Sequence, residues 1–173
     1  MLVPVTRPVH GSDMRRAMGR LTTGVAVVSA GTENNICGMT IGSLTSISLE
    51  PPILMISLTH GSRTTDAVTN TGRFAISILG SRQEAVARHF ATRGGARFEN
   101  IDCEYGSYGL PMIKGALVQG ECSMHSSYDI GDHRVFFGAV ENLRYRDGTG
   151  LTFNCGRFGD FHDFGHNELP WWY

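Results

Sequence analysis

The sequence predicts a mainly β protein in which a few helices accompany an antiparallel barrel, and three observations carry this prediction. Short segments rich in apolar and β-branched residues outnumber the amphipathic helical segments. Turn residues separate these segments at the spacing typical of antiparallel barrels. The helical segments are too few for a doubly wound sheet. The 173 residues fit a single domain, residues 1–173, with its own core.

The N-terminal segment predicts an arm followed by one short helix. Residues 1–11 contain two prolines and no clear period, which is typical of an arm. Ser12 or Asp13 can cap a helix over residues 14–21. The apolar residues of this helix share one face: Met14, Met18 and Leu21.

Seven segments have the composition or the period of β-strands. They are residues 23–30, 36–41, 53–58, 73–79, 115–124, 134–145 and 151–154. Residues 32–35 predict a hairpin turn between the first two segments, and Asp147 with Gly148 predicts a turn between the last two.

The segment 115–124 alternates between polar and apolar side chains. Gln119 and Glu121 fall on one face, whereas Cys122 and Met124 fall on the other. This pattern predicts a half-buried strand. The polar, glycine-rich residues 93–110 before it predict a loop.

Two further helices are predicted from their N-terminal signals. Ser62 can cap a helix that runs to about residue 70. Ser81 and Glu84 have the spacing of a capping box and predict a helix over residues 82–91.

Charge and composition exclude several classes of partner. The net charge of -1 favours neither nucleic acid nor an acidic membrane, and no apolar stretch reaches the length of a membrane span. The four cysteines form no CxxC pair and the N-terminus lacks the apolar segment of a signal peptide, so we expect a cytoplasmic protein with reduced thiols. The charged fraction of 18% is low, which is compatible with a buried subunit interface.

Several familiar motifs are missing from the sequence. It contains no P-loop and no GxSxG, and the glycine pair at residues 148–150 precedes a strand, which argues against a Rossmann site. His162 and His166 have a spacing that suits a metal on a helix. Gly165 weakens a helix there and a third ligand is missing, so we expect no metal site.

Two hydroxyl-rich clusters flank the predicted strand at residues 53–58. The first cluster comprises Ser43, Thr45, Ser46 and Ser48. The second comprises Ser62, Arg63 and Thr64, at the start of a predicted helix whose positive end favours anions. Together they suit a phosphate-bearing ligand. The alternative is that these are ordinary loop hydroxyls and that Ser62 is only a cap.

His133 follows a Gly-Asp turn and begins the strand predicted at residues 134–145. A histidine at the mouth of a strand can donate to a phosphate or carbonyl, or relay a proton. The alternative is a histidine that only hydrogen-bonds its neighbours.

Taken in order, these segments resemble the short-chain flavin reductases, the reductase components of two-component flavin monooxygenases. The resemblance spans residues 14–159, and the combined series is far more specific than each piece. The matching stretches are MRRAMGRLTTGVAVV, GMTIGSLTSISLEPP, RFAISIL, HFATRGGARF, GLPMIKGALVQGEC, GDHRVFFGAV and FNCGRFG.

The resemblance implies a split β-barrel, Greek-key-like and FMN-binding, that is usually a homodimer with two sites at its interface. Such proteins use NADH or NADPH to reduce FMN or FAD, and hydride passes from nicotinamide C4 to flavin N5. The reduced flavin then leaves for a separate flavin-dependent monooxygenase. No side chain need act as a covalent catalyst.

The resemblance also assigns residues to the site. The residues implied to cradle the flavin ring and its ribityl chain are Gly38, Met39, Thr40, Gly42, Ser43, Thr45, Ser46, Ser48, Ser57, Leu58 and Thr59. Arg63 and Thr64 would hold the phosphate, and His89 with Phe90 would form a second flavin contact. His133 would lie near the nicotinamide side of the flavin, as the catalytic residue.

Two departures from the family pattern bear on flavin preference. Gly42 stands where many relatives have serine, and Ser77 where many have asparagine. A second function remains open from the residues, a flavin-retaining electron-transfer protein on the same barrel. A third, a relative of pyridoxal-phosphate oxidases, is disfavoured because their Arg- and Lys-rich phosphate pattern is missing.

Residues 160–173 form an aromatic C-terminal tail without a clear counterpart in the family. An exposed aromatic cluster is rare on soluble monomers, so we expect the tail to pack. It covers a groove on its own subunit or the dimer mate, or its aromatic rings reach the mouth of the flavin site.

Overall fold

A computed structural model describes residues 7–92, 98–163 and 165. Three helices and twelve strands are defined in these residues. The helices are α1 Gly11–Met18, α2 Arg63–Thr71 and α3 Glu84–Phe90. The strands are β1 Thr23–Gly24, β2 Ala26–Ala30, β3 Cys37–Ile41, β4 Thr45–Leu49, β5 Pro52–Thr59, β6 Arg73–Ile78, β7 Cys103–Tyr105, β8 Pro111–Ile113, β9 Val118–Ile130, β10 His133–Tyr145, β11 Leu151–Asn154 and β12 Arg157–Asp160.

Seven strands form the main sheet, in the order β3-β2-β6-β9-β10-β5-β4, and every neighbouring pair is antiparallel. The sheet curls so that the connection after β3 returns to β5, where the Ser43 hydroxyl bonds to the Ser57 backbone. The mainly β barrel expected from the sequence is confirmed. No helix within the described residues is long and apolar enough to span a membrane.

Two apolar clusters lie on opposite faces of the sheet. The first fills the barrel with side chains that include Ile56, Phe74 and Phe136, all 0% exposed. The second lies between the sheet and α3 and includes Leu79 and Phe90. Strand β2 contributes side chains to both clusters, which explains why it is buried on both faces. Strand β6 contributes Phe74 and Ile76 to the first cluster, while Ala75 on its other face packs with Leu110 and Met112.

The predicted limits of the first helix are wrong at both ends. α1 begins at Gly11, because the Asp13 carboxylate accepts from the backbone N–H of His10 and thereby satisfies an orphan donor before the helix. Arg7, within the predicted arm, pairs with the same carboxylate at 2.8 Å. The helix ends at Met18, so Leu21 lies beyond it, and none of its residues is buried.

The other two helices are confirmed, but one of their signals is wrong. Ser62 caps α2 as predicted by accepting from Thr65 N. Ser81 and Glu84 form no capping box. Residues 81–83 instead make a 3₁₀ turn in which the Gln83 side chain accepts from Gly80 N. Glu84 pairs with Arg88 one turn later on α3.

The strand predicted at residues 115–124 is present as part of β9, which begins at Val118, but the prediction that it is half-buried is wrong. Gln119 is 7% exposed and Glu121 is 2% exposed. Gln119 and Glu121 are buried because the predicted loop at 93–110 is partly structured. It contains β7, which pairs with β8 as a hairpin. The Ser107 and Tyr108 amides after β7 donate to the Glu121 carboxylate, so this segment covers the polar face of β9.

The C-terminal strands also depart from the prediction. β11 pairs with β1 and β12, so Asp147 and Gly148 do not close a hairpin with β10. Neither β12 nor β4 was predicted as a strand. Asp160 ends β12, and most of the aromatic tail, residue 164 and residues 166–173, lies outside the described residues.

Candidate functional site

The outer face of β5 and β10 brings predicted site residues together. Along β5, Leu58 points into the barrel core and is 1% exposed, whereas Ser57 and Thr59 point outward. The register pairs Ser57 with Val135 and Thr59 with His133. His133 therefore stands directly beside Thr59, while the side chain of Leu58 only supports this face from behind.

Ser43 joins the two hydroxyl clusters. Its hydroxyl donates to the Ser57 carbonyl at 2.9 Å and accepts from Ser57 N at 3.1 Å. The connection between β3 and β4 is thereby held against the outer face of β5. Ser43 thus fixes the shape of the site with its side chain, and the backbone around it is what faces outward.

The remaining hydroxyls of the first cluster lie on β4, at the edge of the sheet. Thr45 and Ser46 are exposed, and Thr45 pairs with Met55 on the outer face of β5. A shift of register between Ser46 and Ser48 leaves Ile47 unpaired and 50% exposed. An edge strand with exposed hydroxyls offers both side-chain and backbone partners to a polar ligand.

β3 has side-chain partners on both of its faces. Met39 packs against the barrel core, whereas the Thr40 hydroxyl donates to the Ala87 carbonyl of α3 at 2.8 Å. A Cβ at Gly38 would lie 2.8 Å from the Phe98 ring, so only glycine fits there. These residues can offer a ligand the backbone groups of an edge strand.

Gly42 leaves room for a neighbouring hydroxyl. A Cβ at this position would lie 2.7 Å from Thr23 Oγ1, so the missing side chain gives space to Thr23. Both residues line a cavity of about 200 Å³. The other lining residues are mostly apolar: Val25, Thr40, Ile41, Ala91, Phe153 and Phe158. Ser77, the second departure from the family pattern, is buried and accepts from Ile113 N, away from this cavity.

The start of α2 provides the predicted cation. Arg63 is exposed, and its guanidinium donates to Asn35 Oδ1 at 3.0 Å in the β2–β3 turn. Because Ser62 already accepts from Thr65 N, the amides of Arg63 and Thr64 are the ones at the positive end of the helix dipole that can meet an anion. The Thr64 hydroxyl is buried beside Cys37 and forms no hydrogen bond of ordinary geometry, so its backbone amide is the group that can meet an anion.

His133 is oriented by its neighbour in the Gly-Asp turn. Its Nδ1 lies 2.7 Å from Asp132 Oδ1, and its Nε2 lies 3.4 Å from Thr59 Oγ1. Because a carboxylate only accepts, Nδ1 carries a proton and Nε2 is directed at the outer face of β5. The hydrogen bond from His133 holds the pKa of the Asp132 carboxyl below its ordinary value.

A second carboxylate steadies the same end of the sheet. Asp129 accepts two bonds from Arg134, at 2.6 and 3.0 Å, and Arg134 also donates to Thr69 on α2. His60 Nε2 lies 3.6 Å from the same carboxylate. The bond from Arg134 lowers the pKa of the Asp129 carboxyl. These contacts tie α2 to the strands that carry His133.

The structure separates the two predicted residues of α3. Phe90 is 1% exposed and packs against Phe98 with ring centroids 4.6 Å apart, so its ring belongs to the second core cluster. His89 is exposed and meets the Phe90 ring edge-to-face. Their contact with a flavin stays a prediction, and the buried ring of Phe90 can only support one.

Three residues of this region were missed by the sequence analysis. Asn35 orients Arg63, Thr23 fills the space at Gly42, and Asp132 orients His133. Asp132 had a local signal, since it directly precedes His133. The other two are distant in sequence from the residues that they contact, so no local pattern identifies them.

The residues present fit a flavin phosphate at one end and an apolar ring system at the other. Arg63 and the first amides of α2 suit the phosphate. The cavity of mostly apolar lining lies at the other end of β3, beside Thr40 and Gly42, whereas Cys37 begins this strand next to Thr64. Within the described residues, no group of three or more His, Cys, Asp or Glu side chains can hold a metal ion. His166 lies outside these residues.

Comparison with known proteins bears on the same region. The chain is 39% identical over 152 residues to FMN reductase (NADH) SmoA of Agrobacterium fabrum, across 88% of this chain and 87% of that protein. It is 34% identical over 129 residues to HsaB of Mycobacterium tuberculosis, the reductase subunit of a flavin-dependent monooxygenase, across 75% of this chain and 69% of that protein.

A solved structure has the same fold. The NADH:FAD oxidoreductase SgcE6 of Streptomyces globisporus, in complex with NAD and FAD fragments, matches with a TM-score of 0.88 and 34% identity, over 95% of this chain and 100% of that chain. The split barrel expected from the resemblance is confirmed. The model of the flavin reductase like domain matches residues 18–162. The chain therefore belongs to the flavin reductase-like domain family, as its ordered motifs predicted.

Proposed function

We propose that the protein is an NAD(P)H:flavin oxidoreductase that reduces FMN or FAD and releases the reduced flavin. The observation that carries this proposal is the outer face of β5 and β10, where Thr59 and His133 are register partners. Arg63 follows β5 by four residues and stands at the start of α2. A polar strand face, an orienting histidine and a cationic helix start are therefore contiguous.

One end of this face binds the flavin phosphate. The Arg63 guanidinium retains free donors beyond the one that binds Asn35, because a guanidinium carries five N–H groups. The first amides of α2 add neutral donors with the favourable end of a helix dipole. A single cation with amides gives a site that binds a phosphate without holding it permanently.

The other end accommodates the flavin ring. β3 and β4 present edge backbone groups, and the Ser43 clamp fixes the connection between them. When bound, the flavin accepts the hydride that the reduced nicotinamide donates. The chain's own contribution is to orient both rings and to exclude water from the space between them.

His133 positions the nicotinamide. Asp132 fixes Nδ1 as a donor, so Nε2 faces the outer surface in one orientation. In the neutral ring that nitrogen accepts from a carboxamide N–H of the dinucleotide, and once it has taken up a proton it can donate to a phosphate oxygen or carry the proton to the site. Thr59, 3.4 Å from Nε2, limits the rotation of the ring on its other side.

The reduced flavin serves a separate flavin-dependent monooxygenase. HsaB is by name the reductase subunit of such an enzyme, and it is 34% identical to this chain. The polar clusters that surround the site are mostly neutral, which supports reversible binding and release. A cytoplasmic location is consistent with the four cysteines, none of which forms a disulfide.

A homodimer completes the proposal. The outer face that carries His133 also carries Tyr128 and Ile130, which are 59% and 62% exposed, and the half-buried Phe137 lies next to them. An apolar patch beside a polar cleft is typical of a subunit interface. Sedimentation at micromolar concentration should give a dimer, and a fully active stable monomer would contradict this assignment.

A steady-state assay tests the proposed function directly. The purified protein is given NADH or NADPH with FMN or FAD in the four combinations, and oxidation of the nicotinamide is followed. We expect oxidation that depends on added free flavin and saturates with it. Turnover without added flavin, from a cofactor that stays bound through gel filtration, would favour the flavin-retaining electron-transfer protein instead.

A further inference from the structure

A second cavity lies beyond the phosphate end of the proposed flavin site. Its volume is about 520 Å³, within the range of cavities that hold small organic ligands. It is bounded by the β2–β3 turn on one side and by the segment after β7 on the other. The lining residues are Gly31, Thr32, Glu33, Ile36, Tyr105, Tyr108, Gly109 and Leu110.

The β2–β3 turn connects this cavity to Arg63. Asn35, which accepts from Arg63 at 3.0 Å, lies in the chain between the lining residues Glu33 and Ile36. The turn is tight, because Asn35 N donates to Thr32 O at 2.8 Å. A group covalently attached to a phosphate at Arg63 therefore needs to cross only the width of this turn to enter the cavity.

The cavity has two aromatic walls of different character. Tyr108 is held firmly, since the Arg73 guanidinium lies 4.4 Å above its ring and its hydroxyl donates to Glu141. Burial, together with the bond to Glu141, raises the pKa of Tyr108 to about 12. Tyr105 is 63% exposed and lines the same cavity. A fixed ring and an exposed ring form a site on which a planar base can stack.

Glu33 supplies the third element of recognition. It is exposed on the turn, and no ion pair within the described residues engages its carboxylate. A carboxylate accepts hydrogen bonds from the vicinal hydroxyls of a ribose, as acidic residues do in dinucleotide-binding folds. The same charge repels a phosphate at that position, which selects a nucleoside with free hydroxyls.

We propose that the cavity between Glu33, Tyr105 and Tyr108 binds the adenosine moiety of a dinucleotide. The base stacks on the tyrosine rings, the ribose hydroxyls donate to Glu33, and the diphosphate extends toward Arg63. This inference rests on the proposed function, because it extends the same site. Adenosine occurs in both FAD and NADH, so the experiment distinguishes these two sources.

Tyr105→Ala is the main variant, and Tyr105→Phe restores the ring without the hydroxyl. Tyr145→Ala is the matched control, because Tyr145 is 80% exposed and lies outside the cavity. Fluorescence titration gives the dissociation constants of FAD and FMN for the oxidised protein. Initial rates give the Michaelis constants of NADH and of reduced nicotinamide mononucleotide, which lacks the adenosine.

If FAD supplies the adenosine, Tyr105→Ala raises the Kd of FAD by about 5- to 30-fold, as expected for loss of one stacking wall. The Kd of FMN stays unchanged and Tyr105→Phe restores FAD binding. If NADH supplies it, the Michaelis constant of NADH rises by a similar factor, while that of the mononucleotide does not. Glu33→Gln should shift the same ligand in the same direction.

Equal losses for FAD and FMN together with equal losses for NADH and the mononucleotide, or no change in any of the four constants, would overturn the proposal. Should Tyr105→Ala fail to fold, Glu33→Gln, on an exposed turn, provides the same comparison. Reduction of FMN by NADH in the unaltered protein tests the proposed function separately, so failure of the adenosine site leaves that result standing.

Discussion

The carboxylates at the two ends of the β9–β10 strand pair have opposite surroundings. At the outer ends of β9 and β10, Asp129 and Asp132 are exposed and bind Arg134 and His133. Near the start of β9, Glu121 is 2% exposed, and its partners are neutral. It accepts from Ser107 N, Ser107 Oγ, Tyr108 N and Asn142 Nδ2.

This difference indicates that the buried carboxylate has a structural role and that the exposed carboxylates can have a functional one. Burial by itself raises the pKa of the Glu121 carboxyl, but bonds from the Tyr108 amide and from Ser107 outweigh it, so the pKa is lowered and the group is charged. All of its accepting capacity serves the fold. A Cβ at Gly106 would lie 2.2 Å from its carboxyl carbon, which shows how closely the segment is packed on it. The exposed pair keeps atoms available for a ligand.

The largest expected effect is on the buried group. Glu121→Gln places an amide against two backbone donors, so we expect the free energy of unfolding to fall by about 2–4 kcal/mol. The rate of FMN reduction by the folded fraction should not change. Glu104→Gln is the control, since Glu104 is 42% exposed and its pair with Arg144 is 3.4 Å long. Its loss should stay below about 0.5 kcal/mol.

The loss of stability in Glu121→Gln should depend on pH. Because the folded-state pKa of Glu121 is lowered, its contribution is present above the unfolded pKa and is lost as the pH falls through the folded pKa. The stability difference between the unaltered protein and Glu121→Gln should therefore shrink below about pH 4. Denaturant unfolding across this range measures it, and a difference that stays constant into acid would contradict a charged Glu121.

Arg63→Ala is expected to have the next largest effect, and like the exposed carboxylates Arg63 keeps atoms available for a ligand. Loss of a charge-assisted bond to phosphate should weaken FMN binding by about 1.5–3 kcal/mol. Riboflavin, which has no phosphate, should bind both proteins equally. Fluorescence titration with both flavins measures this difference. An equal loss for the two ligands would place Arg63 away from the phosphate.

Variants of His133 and Asp132 distinguish the residue proposed to contact the nicotinamide, His133, from the residue that orients it, Asp132. His133→Asn should lower kcat/KM for NADH by about 10- to 100-fold. Asp132→Asn should lower it by a smaller factor of about 3- to 10-fold, since only the orientation of the ring is lost. The Asp132 carboxyl has a lowered pKa, so its effect should be constant from about pH 6 to 9. An Asp132→Asn loss that equals or exceeds that of His133→Asn would contradict a positioning role.

The smallest effect is expected at Asp129. Its pKa is lowered in the folded state, so the stability it contributes is present above its unfolded pKa and is lost as the pH falls through the folded value. Asp129→Asn should lower the Tm slightly at pH 7, and this loss should shrink as the pH falls below about 4. The measurement also needs low and high salt, because an exposed pair weakens as salt rises. A Tm loss that does not shrink as the solution is acidified would show that the residue acts through packing.

The sequence by itself determined the sites where a local pattern was sufficient. The cap at Ser62, the strand at residues 53–58 and the Gly-Asp-His turn are each encoded within a few residues, and each stands where it was predicted. The family could also be identified from the sequence, because the order of the motifs along the chain is read without knowing which residues are in contact. The site residues on β5 and β10 were assigned by the resemblance, and the alternation of side chains along β5 then separates the outward Ser57 and Thr59 from the buried Leu58.

Tertiary structure decided what depends on contact between distant segments. Glu121 alternates with apolar residues like an exposed side chain, and only the return of Ser107 and Tyr108, more than ten residues earlier, buries it. Ser43 was predicted as a ligand contact, yet its hydroxyl bonds to the backbone of Ser57, fourteen residues away. A sequence pattern records which side a residue faces. It does not record what covers that side, because covering is a contact in space between residues that the pattern treats as unrelated.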